Sequence, residues 1–452
     1  MWIGACWIAL LLGSLAMRPQ LFAQEFKLPP NGEELFHRDW SKVASDESRS
    51  GLGPMYNAVS CVACHKQGGA GGGGNNQHNV HLLTITAMQV PVERARVGVD
   101  INALRNKPLH PGLKTTSSVV LHQFSTNPAY DPLLKSWLDY PEIEPLGNLQ
   151  GLESVGIEAA NVRRLPKPKP GYAHGLAYMR TQRNTPSLFG LGYIDKIKPE
   201  QLELLAKVQN RNFTEISGRV APNAGKFGWR GQSPSVRGFV LGACANELGL
   251  QTPGFKQAAV PVPLVDANAN SSHSDMTPAE ISAMVQYVAE LPPPAEVQPA
   301  NVDDAESWYA GQKHFTQARC DACHVRQIGS VVGIYSDLLL HDMGEKLNDP
   351  AALSSSPGLS QQYYGTGESL LVSNERKQEW RTPPLWGVRD SAPYLHDGRA
   401  ENIEEAILAH GGEGERSRQR YFRLSAKAKS ELVFYVKSLG AVSLPKLLAD
   451  SN

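Results

Sequence analysis

Two short runs in this sequence carry chemistry that their residue types and spacing make legible: Cys61-Val-Ala-Cys64-His65 and Cys320-Asp-Ala-Cys323-His324. A cysteine pair two residues apart, followed at once by histidine, is the attachment pattern for haem c. The two thiols add across the porphyrin vinyl groups, and the imidazole turns back to bind iron from the proximal side. A zinc ribbon wants its cysteine pairs roughly 15–20 residues apart, and these lie much further from each other. A thioredoxin-type dithiol does not require the histidine. The expectation is therefore two covalent haem c groups, one on Cys61, Cys64 and His65 and one on Cys320, Cys323 and His324. Two cysteines are left over: Cys6 near the start, and Cys244, expected as a buried free thiol.

The elements that must position these runs recur in one order. Gly32–Phe36 and Gly311–Phe315 each read as a short helix ahead of a haem motif. Thr185-Pro-Ser-Leu-Phe-Gly190 answers to Thr382-Pro-Pro-Leu-Trp-Gly387, and the turn at Trp229-Arg-Gly231 to that at His396-Asp-Gly398. Each half then closes on an amphipathic helix. Ile281, Met284, Val285 and Val288 fall at i, i+3, i+4 and i+7, as do Leu432, Tyr435, Val436 and Leu439. Aligning Gly231 with Gly398 places Ile403, Ala406, Ile407 and His410 on one helical face, opposite Val236, Phe239, Val240 and Ala243. The fold class expected is mainly α, with two cytochrome c-like haem domains from an internal duplication and long loops and insertions in the first.

A proline-rich linker at 292–302 separates the domains expected at 28–291 and 303–442, because such a run cannot continue a helix. Within the first, Leu165–Gly171 alternates proline with lysine and reads as an extended surface loop. Gly68–Gly74 reads either as a mobile loop or as backbone passing close to the haem. Residues 1–23 read as a signal peptide with an apolar stretch from Trp2 to Met17, so the protein is expected to be exported, to the periplasm or beyond. An uncleaved N-terminal anchor is the alternative, and no later segment is apolar enough to span a bilayer. The 44 basic and 44 acidic residues leave no net charge, which gives no basis for binding nucleic acid.

The markers also resemble a family. Ser60–His65, Ser217-Gly-Arg219, Gly225–Trp229, Tyr335–Gly344, Trp380–Gly387, Tyr394–Arg399 and Glu404–Gly412 are similar to motifs of the bacterial di-haem oxidoreductases, peroxidase-like proteins sometimes labelled thiol oxidoreductases. These belong with the di-haem cytochrome c peroxidases and the di-haem enzyme that matures methylamine dehydrogenase. The "thiol" label fits poorly, since both cysteine pairs are consumed by haem. The resemblance implies an enzyme, a haem-dependent oxidoreductase whose C-terminal haem receives electrons and whose N-terminal haem reacts with hydrogen peroxide. It implies Trp229 as the residue between the haems and Glu247 as the distal acid/base. It also implies one calcium ion held by Asn184, Ser391 and Pro393, and a small redox partner of cytochrome c or cupredoxin type. Relatives often place a methionine distal to their C-terminal haem, and this sequence has His410 there, so bis-His ligation by His324 and His410 is expected.

Rival placements are Met343 as an axial ligand, with Tyr335 and His341 near the haem, and a helical, core-packed Leu338–Leu340. His78 or His81 from beside the glycine-rich loop could serve as a resting ligand of the first haem. The runner-up function is a non-catalytic di-haem electron-transfer protein, and a weaker one is a haem or iron-acquisition accessory. Protein made with a cytochrome c maturation machinery should gain two haem masses on intact mass spectrometry; a haem-free, zinc-loaded product would refute the motif reading.

Overall fold

Helices dominate the regular structure, and their ends follow from capping side chains. The opening helix Gly32–His37 starts at Asn31, whose side chain accepts from the Glu33 amide at 3.0 Å, with Glu33 and Glu34 in its first turn. The helix Pro278–Glu290 begins with a Thr277/Glu280 capping box and a proline in its first turn. Val236–Glu247 and Ile403–Ala409 are capped by Ser235 and Asn402, and Ala426–Lys437 by Ser425. The computed structural model describes residues 30–43, 51–86, 110–114, 118–139, 171–173, 176–258, 261, 274–296, 299, 301–349 and 378–440. The expected signal segment and most of the Leu165–Gly171 run lie outside them. Among the described residues no helix is long and apolar enough to cross a membrane.

The same contacts recur on both sides of the linker. A Cβ on Gly32 would meet the Ala283 carbonyl oxygen at 2.2 Å and the Tyr287 Cβ at 2.7 Å; one on Gly311 would meet the Glu431 carbonyl oxygen at 2.1 Å and the Tyr435 Cβ at 2.7 Å. Phe36 lies 5.2 Å from Tyr287 and 6.4 Å from the His65 ring, while Phe315 lies 5.6 Å from Tyr435 and 6.5 Å from His324. Gly231 and Gly398 both turn at positive φ, 65° and 71°, between the matching bridges Phe227–Ser233 and Tyr394–Ala400. That backbone region costs an L side chain strain and glycine none.

Between the first motif and Asn184 the chain adds a four-stranded antiparallel sheet in the order Ser118–Leu121, Val80–Thr86, Leu176–Arg183, Gly171–Ala173. It has its own small core around Leu83, Val119, Tyr130 and Trp137. The linker does not interrupt packing. Ile328, Val331, Ile334, Leu338, Leu339 and Trp386 join the cluster that holds Leu35, Phe36, Met284 and Val288. Glu296, in the linker itself, is tied to Arg326 and to the Tyr335 hydroxyl.

Two local expectations change, and the glycine run is placed. Leu338–Leu340 is buried but not helical: Leu338 has φ 57°, and Leu340–Asp342 pairs as a strand with Glu379–Arg381. The helix after the second motif ends at Ala409, so His410 is its cap. Gly71–Gly74 is buried backbone, with the Gly71 carbonyl accepting from Leu188 at 2.7 Å and the Gly74 amide donating to Thr185 at 3.2 Å.

Gly311→Ala should lower stability by about 1–3 kcal/mol, the cost of overpacking a close helix crossing, read as a fall in melting temperature. An unchanged melting temperature would mean the two helices part without cost.

Candidate functional site

Both cysteine motifs open onto cavities. The larger, of about 290 Å³, is lined by Cys320, Cys323, His324 and His410, with Met343 and Trp380 beside them. The smaller, of about 90 Å³, is lined by Cys61, Cys64, His65, Ala243 and Glu247, with Arg183 beside them. Trp229, Asn184, Thr185, Pro186, Gly228 and Phe239 line both, so the two cavities share a wall. Trp229 is fixed there by its indole N–H, which donates to the Asn184 carbonyl at 2.9 Å.

The imidazoles of the two motifs are held alike. His65 Nδ1 lies 3.1 Å from the Gly72 carbonyl, and His324 Nδ1 lies 2.9 Å from the Tyr335 carbonyl. A carbonyl oxygen only accepts, so Nδ1 carries the proton in each ring and Nε2 keeps its lone pair. Burial pushes both imidazoles down to about 4, against the pull of those carbonyls. A neutral ring with an oriented Nε2 is what a metal-ligating histidine needs. His410 Nδ1 is likewise 2.7 Å from the Ala406 carbonyl, and burial lowers its pKa.

The equivalent helical positions differ. Ala243 lines the smaller cavity where His410 lines the larger. One turn past Ala243, Glu247 ends the longer helix with its carboxylate on the cavity. Its Oε2 accepts from the Asn57 side chain at 2.8 Å. Burial pushes this carboxyl from 4.5 up to about 7, and the Asn57 hydrogen bond opposes it. A carboxyl that titrates near neutrality can both accept and return a proton.

The thiols are poor nucleophiles as they stand. Burial, followed by the Glu247 charge, raises Cys64 to about 12, and burial followed by the Asp321 charge raises Cys320 to about 12. Reactive dithiols show the opposite shift. Cys244 is buried in the core and makes no disulfide among the described residues.

The rival ligands are sorted by their partners. His341 has Nε2 2.9 Å from Asp337 and Nδ1 2.6 Å from Glu413, so both nitrogens are committed. The Tyr335 hydroxyl donates to Glu296 and accepts from the Tyr435 hydroxyl, and its carbonyl accepts from His324. Met343 lines the larger cavity, and its methyl and the His410 ring both lie beside Gly414. His78 lines the smaller cavity, whereas His81 sits in the sheet, paired with Leu121 and Gln182. Asn184, Ser391 and Pro393 all line the larger cavity. The Asn184 Nδ2 is 3.0 Å from both the Gly74 carbonyl and Asn79 Oδ1.

A buried group between the cavities went unread in the sequence. Trp380 stacks on His396 at 3.6 Å between ring centroids, with the Arg230 and Arg183 guanidiniums 4.2 and 5.3 Å from its ring. Asp349 accepts from Arg183 at 2.5 Å. Trp380 and His396 stood inside recognised motifs; Arg183 and Asp349 did not, because nothing local marks a charged residue as buried.

A family model described as "Di-haem oxidoreductase, putative peroxidase" matches residues 177–439, more than half of the chain. That span includes the second cysteine motif and leaves the first outside. Among solved structures, Kuenenia stuttgartiensis hydrazine synthase pressurised with 20 bar xenon aligns at 17% identity over 60% of this chain and 74% of its own, with a TM-score of 0.34. A MauG-like protein associated with microbial copper homeostasis aligns at 17% identity over 40% of this chain and 59% of its own, with a TM-score of 0.26. Neither alignment bears on the chemistry. No curated protein matches the chain.

The raised Glu247 carboxyl makes folding pH-dependent. Its contribution is fully present below about pH 4.5 and is lost as the pH rises through about 7. The loss is at most about 3 kcal/mol. Denaturant unfolding between about pH 5 and pH 8 should show it, and Glu247→Gln should flatten that slope. An equal slope in the variant would assign the effect to another group.

Proposed function

The chain belongs to the di-haem oxidoreductase family, with haem as its cofactor, and on that footing we propose that it is an exported, peroxidase-like enzyme with two covalently bound haem c groups. One is held by Cys61, Cys64 and His65 and one by Cys320, Cys323 and His324. The observation that carries the reading is the pair of cavities with a common Trp229 wall, each lined by one complete motif. Two thiols and an imidazole with a committed Nδ1, facing one cavity, fit that group. The recurring glycine–helix contacts support two cytochrome c-like domains, 28–291 and 303–442, descended from one duplicated unit and joined by 292–302. The sheet is then an insertion in the first.

The two halves take different work. When bound, a haem with an open axial position supplies peroxide reduction, and one ligated on both sides supplies one-electron transfer. His324 and His410, with both Nδ1 atoms held by backbone carbonyls, would hold the haem of the larger cavity between them, and that cavity would be the electron-entry side. Ala243 has no ligating atom, so its helix leaves the smaller cavity open. There Glu247 accepts a proton from the peroxide oxygen that binds and returns it to the oxygen that leaves, and Asn57 fixes the carboxylate's rotation. Two electrons and two protons turn each peroxide into two waters. Trp229, held by Asn184, is the aromatic bridge between the sites. The Asn184 carboxamide oxygen, Ser391 and Pro393 offer oxygen donors for a calcium ion. The N-terminal apolar stretch supports export, and a small cytochrome c or cupredoxin is the partner class that would deliver single electrons.

The test combines peroxide turnover with electron paramagnetic resonance. Glu247→Gln should lose roughly 10²–10⁴-fold in turnover, with both haem spectra kept. His410→Ala should lose one low-spin bis-histidine signal and leave the other haem's spectrum intact. Full turnover in the first variant would remove Glu247 from the reaction, whereas no peroxide turnover and two fully ligated haems in the wild type would favour the electron-transfer protein.

A further inference from the structure

Arg183 is the last residue of the sheet strand Leu176–Arg183 and is only 2% exposed. Its Nη1 serves Asp349 Oδ2 at 2.5 Å and the Gln182 carbonyl at 2.7 Å. Among the described residues its Nε and Nη2 are buried without a hydrogen-bond partner. These two atoms form one edge of the guanidinium, and their N–H bonds run side by side in the fork that matches a carboxylate. Leaving two donors of a buried cation unmet is costly. The residue lines the smaller cavity together with Cys61, Cys64 and His65. The strand, the Asp349 ion pair and the Trp380 ring 5.3 Å away hold the guanidinium in place.

We infer that the Nε–Nη2 edge of Arg183 seats a propionate carboxylate of the haem held at Cys61, Cys64 and His65. This rests on the haem reading above and adds to it a binding residue. A haem is apolar except for its two propionates, and covalent attachment fixes the vinyl side of the macrocycle. The propionate side therefore needs its own anchor, and a buried two-pronged donor supplies one. A permanent cation on the propionate keeps it ionised and offsets its negative charge near the iron. Arg183 is thus a binding and positioning residue.

The experiment compares wild-type holoprotein with Arg183→Lys, Arg183→Gln and the double variant Arg183→Gln/Asp349→Asn. The double variant guards against misfolding from an unpaired Asp349. Intact mass counts the haems. Optically monitored potentiometry against pH, with the two haems told apart by spin state, reads each midpoint potential, and resonance Raman reads the propionate bending band. Two haems are expected in every protein. Arg183→Gln and the double variant should lower the first haem's potential, shift its propionate band and make its potential pH-dependent across the neutral range. Arg183→Lys should restore most of the potential but not the band, because it keeps the charge and loses the fork. The second haem should not move. Two haems with the first one's potential and band unchanged in both Gln variants, or a change confined to the second haem, overturn the inference alone. A wild-type product lacking haem at Cys61 and Cys64 overturns the cofactor reading and the inference with it.

Discussion

A histidine ring has two nitrogens, and the site depends on one of them being committed. His65 and His324 each give Nδ1–H to a backbone carbonyl, of Gly72 and Tyr335 respectively. That single hydrogen bond sets the tautomer, fixes the ring plane and leaves Nε2 to its cavity. Much of the nearby backbone has to satisfy it. Gly71–Gly74 must lie against the first motif, which explains a buried glycine run. Tyr335 must reach positive φ to bring its carbonyl beneath His324. The Phe36 and Phe315 rings fill the space behind the imidazoles.

On this shared scaffold the asymmetry comes from very few positions. The turns at Gly231 and Gly398 and the caps at Ser235 and Asn402 start the two following helices in the same way. They diverge at the far end. One helix runs on to Glu247, and the other stops at Ala409 and leaves His410 as its cap. The extra turn carries the carboxylate, and the early stop supplies an imidazole. The equivalent helices therefore bring a carboxyl to one cavity and an imidazole to the other.

The sequence was most legible where chemistry and period coincide. The cysteine motifs, the closing helices and the glycine turns could be read because thiol spacing, 3.6-residue periodicity and positive φ each leave a local mark. The order of recurring markers anticipated the matching contacts of Gly32 and Gly311. The sheet of residues 80–183 was not legible, because it was read only as inserted length. Leu338–Leu340 looked helical from its apolar run, yet pairing with Glu379–Arg381 overrode that preference. Arg183 and Asp349 lie 166 residues apart, and only the folded chain shows that each is the other's partner.

The inserted sheet has a consequence for how this fold can be modified. Its longest strand ends at Arg183, and the next residues, Asn184, Thr185 and Pro186, form part of the wall between the cavities. The insertion is therefore not an appendage that a minimal version could shed. Removing it would leave the partition without an anchor on one side, and with it the indole that the Asn184 carbonyl holds. A reduced scaffold, or one rebuilt from two copies of the shorter half, would keep both cysteine motifs and lose the wall that the two cavities share.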